Sequence, residues 1–580
     1  MRAVLSFLAL AALLPAPCLA DEDADLARSL RPEGRRLLQR QLDRAARGAM
    51  PRYRIALDLD LDLAAFHGTL ELRVVNDEAE PWPSVVLRLF PNSEFLAGAG
   101  SRLLHVDRVR VAGQAARVEE GATWLRVRLA APLAPGRATT IALHFRGTLP
   151  RRAPGSTGMG QQAMEQLLQI LGLPGAGASG DYGLYSQADG ISALGFFHPV
   201  LAERCDGAWV AEAPAGIGDI GGGRLSHFVV EVTTSRGATV VAGGVPLGPP
   251  RVQGRRQVQR FAASAVRDFA LAASHDFTVA HRKAGPVEVY SYALTRHADK
   301  GRRVLDLGVE ALQTYEPLFG AYPYSRLSLV ELPLVGGAGG IEYPTMLGFA
   351  SMLYGSDDEA GILGLQMQQS PMLDEMLEFV VAHEVAHQWW NALVGSDSAR
   401  HPVIDEALAQ YSSVLFVEQR RGQEAAEHAI ATQVAGNYHL LRLLGGKDAA
   451  ADRPAAEFDD MLAYAGLVYG KAPLFYRAVR EVLGDKLFFA VLKRYAQVYA
   501  FREADGDGFI NRVRRLAPGK AAEVARLKQR WWEQAHGDRD LGKLSWSELL
   551  MLYSPEDTEE GQQMRQMIEL LKPLLDLFGG

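Results

Sequence analysis

The hydrophobic pattern of this chain changes from strand-like to helical near residue 282, and that change constrains its fold more than any other feature of the sequence. Between residues 55 and 63 every second residue is apolar and aspartates occupy three of the positions between them. This period of two predicts a strand with one buried face. Gly68, placed in the next turn, and the alternating run at 70–74 predict the second strand of a hairpin. Further short strands are predicted at residues 85–90, 124–129, 140–145, 228–232 and 239–242.

Together these strands predict an N-terminal antiparallel β-sandwich or saddle-like domain over residues 51–281. Residues 155–180 break the strand pattern, with glycine-rich flanks around a short helical stretch at 161–171. Such a segment predicts an inserted surface loop of the kind that often borders a site. Residues 21–50 precede the strands and are predicted to form a helical leader.

After residue 282 the apolar residues recur with the period of a helix. Helices are predicted at residues 302–318, 371–393, 404–421, 423–444 and 472–483, and a β-like run at 327–334 precedes the glycines of 336–340. The predicted fold class is therefore α+β with several domains. The β-domain is followed by a mainly helical domain over 282–537 and a helical tail over 538–580.

Length and composition are those of a multidomain globular protein. A chain of 580 residues with 48% hydrophobic and 22% charged residues is too long for one compact core. Its net charge of −7 gives no general attraction for nucleic acid or for an anionic membrane. Neither is therefore predicted as a partner.

The first twenty residues resemble a secretory signal peptide, with Arg2 as the positive charge and residues 3–14 as the apolar core. The apolar run is too short to span a bilayer comfortably, and Pro17 disfavours lipoprotein anchoring through Cys18. After cleavage only Cys205 would remain, so no internal disulfide could form. Export without disulfides favours a bacterial periplasm.

The segment HEVAH at residues 383–387 places two histidines four residues apart on a predicted helix. Side chains at this spacing lie on one face, so both imidazoles can reach one small cation, and Glu384 between them can act on an activated water. A third ligand from another segment would leave a fourth position open, as in catalytic zinc sites. The alternative is a pair of buried histidines satisfied by backbone or water. It fits less well, because the two histidines interrupt the apolar surface of a helix.

Glu406 follows His387 after eighteen intervening residues. H-E-x-x-H, eighteen residues and E resembles the zinc signature of the M1 family of gluzincin aminopeptidases. Three further segments are similar to that family: FGAYPY at 319–324, GGIEYP at 339–344 and YGK at 469–471. The likeness extends over most of residues 50–537.

The resemblance implies a thermolysin-like catalytic domain with one Zn2+ per chain. The implied zinc ligands are His383, His387 and Glu406. Glu384 would be the general base, and Tyr469 would stabilise the oxyanion.

The resemblance also implies how a peptide is held. Glu342 would meet its free α-ammonium group, Gly339 and Gly340 would let it lie along the backbone, and Gln187 would add a contact to the amine. Plainer interpretations stay open: Glu342 as a turn residue, and Tyr469 as a core tyrosine with Tyr464 as the nearest substitute.

Two positions depart from the family pattern. Its N-E-G reads DEA at 405–407 here, and its E-K-G reads GKA at 470–472. Since the metal ligands and the general base are kept, these changes bear on substrate preference rather than on hydrolysis. Asp405 could orient a metal ligand from outside the site.

The sequence therefore favours a zinc-dependent aminopeptidase acting on peptides with a free N-terminus. A gluzincin endopeptidase is the first alternative, and the Glu342 loop argues against it because it would occlude a longer N-terminal extension. The second alternative is a catalytically weak peptide-binding protein on the same fold, against which the retained Glu384 and Tyr469 argue. The preferred first residue and the oligomeric state are left open.

Overall fold

The computed structural model describes residues 19–44, 50–162, 165, 180–220, 223–355, 371–554 and 559–575. Of the predicted signal peptide only Leu19 and Ala20 are described, and most of the helical stretch predicted at 161–171 lies outside these residues. Export and periplasmic location therefore stay predictions. Among the helices that are described, none is long and apolar enough to cross a membrane.

Two helices and a strand-rich region form the N-terminal half. The helices are α1 (Leu19–Arg28) and α2 (Pro32–Arg44), with a short α3 (Glu94–Ala97) among the strands. The strands, in chain order, are β1 (Arg52–Asp60), β2 (Ala65–Val75), β3 (Trp82–Arg88), β4 (Leu104–Val111), β5 (Gln114–Ala115), β6 (Val118–Glu120), β7 (Trp124–Leu133), β8 (Ala138–Thr148), β9 (Tyr185–Ala188), β10 (Ile191–Leu194), β11 (Val200–Leu201), β12 (Arg204–Cys205), β13 (Ala208–Trp209), β14 (Ser226–Ser235), β15 (Thr239–Ala242), β16 (Val245–Pro246), β17 (Arg251–Gln253), β18 (Arg256–Val266) and β19 (Leu271–Ser274).

The largest sheet of the described residues has the order β16-β18-β14-β1-β2-β8-β4-β5, and β17 pairs with β18. Two smaller sheets pack near it, in the orders β15-β19-β10-β9 and β11-β3-β7-β6. Burial alternates along β1 as the sequence predicts. One pairing differs from the predicted antiparallel arrangement, since β1 and β14 run parallel.

The predicted β1–β2 hairpin is confirmed, but Gly68 lies inside β2, opposite Leu57, and not in the turn. A Cβ atom at Gly68 would come within 2.7 Å of the Phe145 ring on the neighbouring strand. The glycine therefore makes room for a core aromatic side chain. A period-two pattern cannot separate this use from a turn.

The C-terminal half is mainly helical, as predicted, and carries one five-stranded sheet in the order β20-β21-β22-β24-β23. Its strands are β20 (Phe277–Ala284), β21 (Val287–Leu294), β22 (Arg326–Leu332), β23 (Gly340–Ile341) and β24 (Met346–Ala350), and β25 (Val394–Gly395) pairs with β26 (Arg502–Glu503). The helices are α4 (Ala298–Phe319), α5 (Pro371–Ala386), α6 (Glu406–Arg421), α7 (Gln423–Ala429), α8 (Ala435–Leu443), α9 (Met461–Tyr464), α10 (Leu474–Leu483), α11 (Asp485–Tyr499), α12 (Gly508–Leu516), α13 (Ala521–Lys528), α14 (Gly537–Leu541), α15 (Trp546–Leu552) and α16 (Glu559–Leu575). Strand β20 crosses the boundary predicted between residues 281 and 282, and the domain limits stay predictions.

Several helices are shorter than their patterns predict. The helix predicted at 371–393 ends as α5 at Ala386, and the chain then turns through Asn391, whose φ is 140°. The stretch predicted as one helix at 423–444 is interrupted by π-helical residues 430–434. Residues 465–471 also form a π-helix, which leads into α10. Apolar spacing does not reveal these local changes in hydrogen bonding.

Candidate metal centre and substrate cavity

Helices α5 and α6 bring three potential metal ligands together in a buried position. His383 Nε2 lies 3.0 Å from His387 Nε2. Glu406 Oε2 lies 3.2 Å from the first of these nitrogens and 3.3 Å from the second. Two imidazole nitrogens and one carboxylate oxygen are ligands that zinc prefers, and ligands about 2.0–2.2 Å from a tetrahedral zinc lie roughly 3.4 Å apart. The side chains therefore fit this metal.

Hydrogen bonds orient the ligands. His387 lies just beyond the end of α5, yet its N–H still donates to the His383 carbonyl (3.2 Å), so the two imidazoles keep their helical spacing. Its Nδ1 lies 2.8 Å from the Trp390 carbonyl oxygen. Because a carbonyl only accepts, Nδ1 carries the proton and Nε2 is free to bind a metal.

Asp405 is the residue before α6 and caps it. Its Oδ1 accepts from the Glu406 N–H (2.9 Å), and its Oδ2 accepts from Ser396 Oγ (2.6 Å). Glu406 is thereby fixed at the first turn of α6, where it faces the two histidines. Burial raises the pKa of the Glu406 carboxyl, but the adjacent imidazoles of His383 and His387 outweigh this effect and hold the pKa well below its usual range.

Glu384 and Tyr469 border the same centre. The Glu384 side chain is buried, its Oε2 has no hydrogen-bond partner, and burial raises its pKa well above the usual range. Tyr469, from the π-helix, donates its hydroxyl to Glu406 Oε1 (2.6 Å). Its ring centroid lies 5.8 Å from that of His383. A proton acceptor and a hydroxyl donor therefore lie beside the potential metal ligands.

Glu342 follows β23 and faces the metal centre from the sheet side. Its Oε1 accepts from Asn391 Nδ2 (2.8 Å), in the turn after α5. Gly340 lies so close to α5 that a Cβ atom there would come within 2.6 Å of Glu384 Cγ. The glycine run thus lets the Glu342 segment lie against the metal-binding helix.

One cavity of about 390 Å³, named here the central cavity, is lined by the three potential ligands together with Glu384, Tyr469 and Glu342. The predicted site residues that line it are His383, Glu384, His387, Glu406, Tyr469, Glu342, Gly339 and Gly340. The β-domain contributes another wall, with Tyr182, Phe196, Asp219, Arg267 and Asp268 among its residues. The cavity therefore lies where the two halves of the chain meet.

Gln187 is the predicted site residue that the structure does not bring to this cavity. It lies on β9, and its Nε2 donates to the Leu61 carbonyl (2.7 Å) and to Ser192 Oγ (2.9 Å). Both amide hydrogens are thus used within the β-domain. In this structure Gln187 does not meet Glu342.

Other cavity residues were not found from the sequence. Asn391 follows two tryptophans and carries no motif, although a non-glycine residue that adopts positive φ is often Asn. Asp219 stands in a glycine-rich segment without periodicity, and Asp268 follows directly on an apolar strand. Nothing in the local sequence places these two aspartates beside Glu342 and the potential metal ligands, which lie far downstream in the chain.

Comparisons with known proteins show what this chain is similar to. Residues 303–531 match the model of the Peptidase family M1 domain. The chain is 24% identical over 348 residues to Aminopeptidase M1 of Arabidopsis thaliana. This match covers 58% of this chain and 36% of that protein. It is 24% identical over 273 residues to Aminopeptidase N of Lactobacillus delbrueckii subsp. lactis, covering 44% of this chain and 29% of that protein. The matches thus span about a third of the length of these relatives.

The fold is also similar to that of a solved structure, the M1 zinc metallopeptidase from Deinococcus radiodurans. The TM-score is 0.56 with 18% sequence identity, over 84% of this chain and 94% of that one. The predicted order of a sheet-rich region followed by a helical domain is confirmed. Together these matches show a domain of peptidase family M1 at residues 303–531, in a chain whose fold is similar to that of an M1 metallopeptidase.

Proposed function

We propose that this protein is a zinc-dependent aminopeptidase. The observation that carries the proposal is that three potential zinc ligands, the Glu384 carboxylate and the Glu342 carboxylate line one cavity. The names of the relatives support it. So does the Deinococcus structure, since a variant of that metallopeptidase was crystallised with a Tyr-Ser-Ala substrate.

His383, His387 and Glu406 would hold the metal. When bound, zinc would supply Lewis acidity to the scissile carbonyl and to the attacking water. Glu384, which has no other hydrogen-bond partner at Oε2, would accept the proton of that water and later deliver it to the leaving amine. The Tyr469 hydroxyl, which now donates to Glu406, would turn to donate to the oxyanion.

Glu342 would restrict hydrolysis to the first peptide bond of the substrate. A carboxylate fixed by Asn391 near the potential metal ligands would pair with a free α-ammonium group. An acetylated N-terminus has no positive charge to offer to Glu342. A glycine run without side chains, which includes Gly339 and Gly340, leaves room for the peptide backbone beside α5.

The test uses protein of measured zinc content and a panel of aminoacyl reporter substrates, with and without chelator. Glu384→Gln is expected to lower kcat by about 10²–10⁴-fold while zinc stays bound, because only the proton acceptor is lost. Glu375→Gln is the matched control, since Glu375 lies on the same helix and outside the central cavity. N-acetylated peptides are expected to resist hydrolysis.

Two results would contradict the proposal. Equal hydrolysis of free and N-acetylated peptides would favour the endopeptidase. Full zinc occupancy without turnover on any substrate would favour the peptide-binding protein.

A further inference from the structure

The central cavity has more carboxylates on its walls than the proposed chemistry uses. Glu384, Glu406 and Glu342 have roles in that chemistry, whereas Asp219 and Asp268 have none. Among the described residues, Arg267 is the one arginine or lysine that lines the cavity. Its Nη1 donates to Glu503 (3.0 Å), so its charge is already paired.

Asp219 is held at the cavity by contacts of its own segment with the helical half. A Cβ atom at the preceding Gly218, whose φ is 68°, would lie 2.6 Å from the Tyr464 hydroxyl, so the backbone there packs directly on that ring. The Tyr182 hydroxyl lies 3.4 Å from the Gly216 carbonyl and 3.1 Å from Met461 Sδ. The position of Asp219 is therefore set by packing around it.

Two polar groups on this wall are buried without a partner. Asp219 Oδ2 has no solvent contact and no hydrogen bond. The Tyr464 hydroxyl also has no partner, although the side chain is only 1% exposed and lines the cavity. A buried polar atom without a hydrogen bond destabilises the fold by about 1–3 kcal/mol. The presence of two such atoms on one wall indicates that a bound ligand supplies their hydrogen-bond partner.

The carboxylates of this wall indicate that the ligand is positively charged. Burial, followed by the nearby charge of Glu342, raises the pKa of Asp219 well above its usual range. A peptide bound through its α-ammonium group would neutralise Glu342 and leave Asp219 unpaired. A second positive charge, on the side chain of the first residue, would pair with it.

We propose that Asp219 selects peptides whose first residue is lysine or arginine. The selection rests on the proposed aminopeptidase function, because the first residue lies at the metal centre only if the α-ammonium group is bound by Glu342. The hydroxyl of Tyr464 contributes polarity to the same wall. A neutral aliphatic side chain would bury Asp219 without a partner and is therefore disfavoured.

The kinetic test compares kcat/KM for arginyl, lysyl, leucyl and methionyl reporter substrates. The wild type is expected to prefer the two basic substrates by tenfold or more. Asp219→Asn keeps the shape of the side chain and should lower the arginyl-to-leucyl ratio at least tenfold, whereas Asp219→Glu should retain a preference for basic residues. Asp276→Asn, at an exposed aspartate of the turn before β20, removes the same charge away from the cavity and should keep the ratio.

A binding test gives a result even without turnover. Zinc-loaded wild type and Asp219→Asn are titrated calorimetrically with L-arginine and with L-citrulline, its neutral isostere. Arginine should bind at least tenfold more tightly than citrulline to the wild type, and this ratio should fall towards one in the variant.

The possible failures are distinguishable. Turnover with an arginyl-to-leucyl ratio near one, or with a ratio that Asp219→Asn leaves unchanged, would overturn the selection and keep the aminopeptidase. An equal loss on all substrates would assign Asp219 to the α-ammonium group instead. Absence of turnover would contradict the proposed function, and the arginine-to-citrulline ratio would still decide on Asp219.

Discussion

At the scale of single residues, the addition of one methyl group at Gly340 is expected to lower catalytic activity. It lies on β23 against α5, and an added Cβ atom would come within 2.5 Å of Glu384 Cδ. Gly340→Ala should therefore displace the Glu384 carboxylate and lower kcat by tenfold or more. The three atoms nearest to that Cβ all belong to Glu384, so zinc content should not change.

The neighbouring Gly339 provides the matched control. A Cβ atom there would lie 3.4 Å from Val380 Cγ2, which is an ordinary contact. Gly339→Ala takes up room left for the peptide and should raise KM, but it should change kcat much less than Gly340→Ala in the same reporter assay. Equal effects of the two substitutions would show that Glu384 is not what the glycine protects.

At the scale of elements, the π-helix of residues 465–471 carries Tyr469 into the cavity wall. A buried lysine at the end of this π-helix donates hydrogen bonds to two other segments. Lys471 is 0% exposed, and its Nζ donates to Asp448 Oδ1 (2.8 Å), to the Ala449 carbonyl and to the Gln534 carbonyl (3.0 Å). The other Asp448 oxygen accepts from the Gly537 N–H (2.7 Å). The position of Tyr469 thus depends on an ion pair that lies outside the cavity.

Lys471→Met should lower both stability and kcat, because it leaves Asp448 buried without its cation. Loss of one partner of a buried pair costs about 3–5 kcal/mol, which urea unfolding would measure. The double variant Lys471→Met/Asp448→Asn removes both charges and should recover much of that loss. If the single variant is as stable as the wild type, the ion pair does not hold this element.

The elements differ in how far the sequence predicts them. The period-two strands and the helix before His383 depend on local spacing, so their patterns reveal them. For the π-helical residues 430–434 and 465–471, the apolar pattern predicts regular helix. Their π-helical hydrogen bonding depends on contacts with distant segments, such as those of Lys471, which the pattern does not reveal. At the site, the local sequence likewise does not predict which side chains line the cavity. Hydrogen bonds within the β-domain keep Gln187 away from it, and packing on the helical half brings Asp219 to it.

At the scale of the whole molecule, the site depends on contact between the two halves of the chain. Arg267, just after β18, lies against Gly395 and pairs with Glu503 of β26. Arg31, between α1 and α2, donates to Glu316 and to the Tyr322 carbonyl (2.9 Å). The β-domain and the leader are thereby fixed on the helical half, and Asp268 is buried where they meet.

The buried Asp268 should make the stability of the folded chain depend on pH. Burial raises its pKa from an ordinary 3.8 to about 7. Between these values the folded protein keeps the proton that the unfolded chain has lost, so stability falls as the pH rises towards 7 and is level above it. Asp268→Asn cannot ionise and still offers Oδ1 to the Phe269 N–H, so it should escape this loss.

The measured quantity is the free energy of unfolding of Asp268→Asn minus that of the wild type, on chelator-treated protein so that a metal charge does not contribute. It should rise by about 2–3 kcal/mol between pH 5 and pH 8, at roughly 1.4 kcal/mol per pH unit up to pH 7. The exposed Asp276→Asn should show no such rise. A flat difference for Asp268→Asn would mean that the contact between the two halves admits enough water to keep this carboxylate charged.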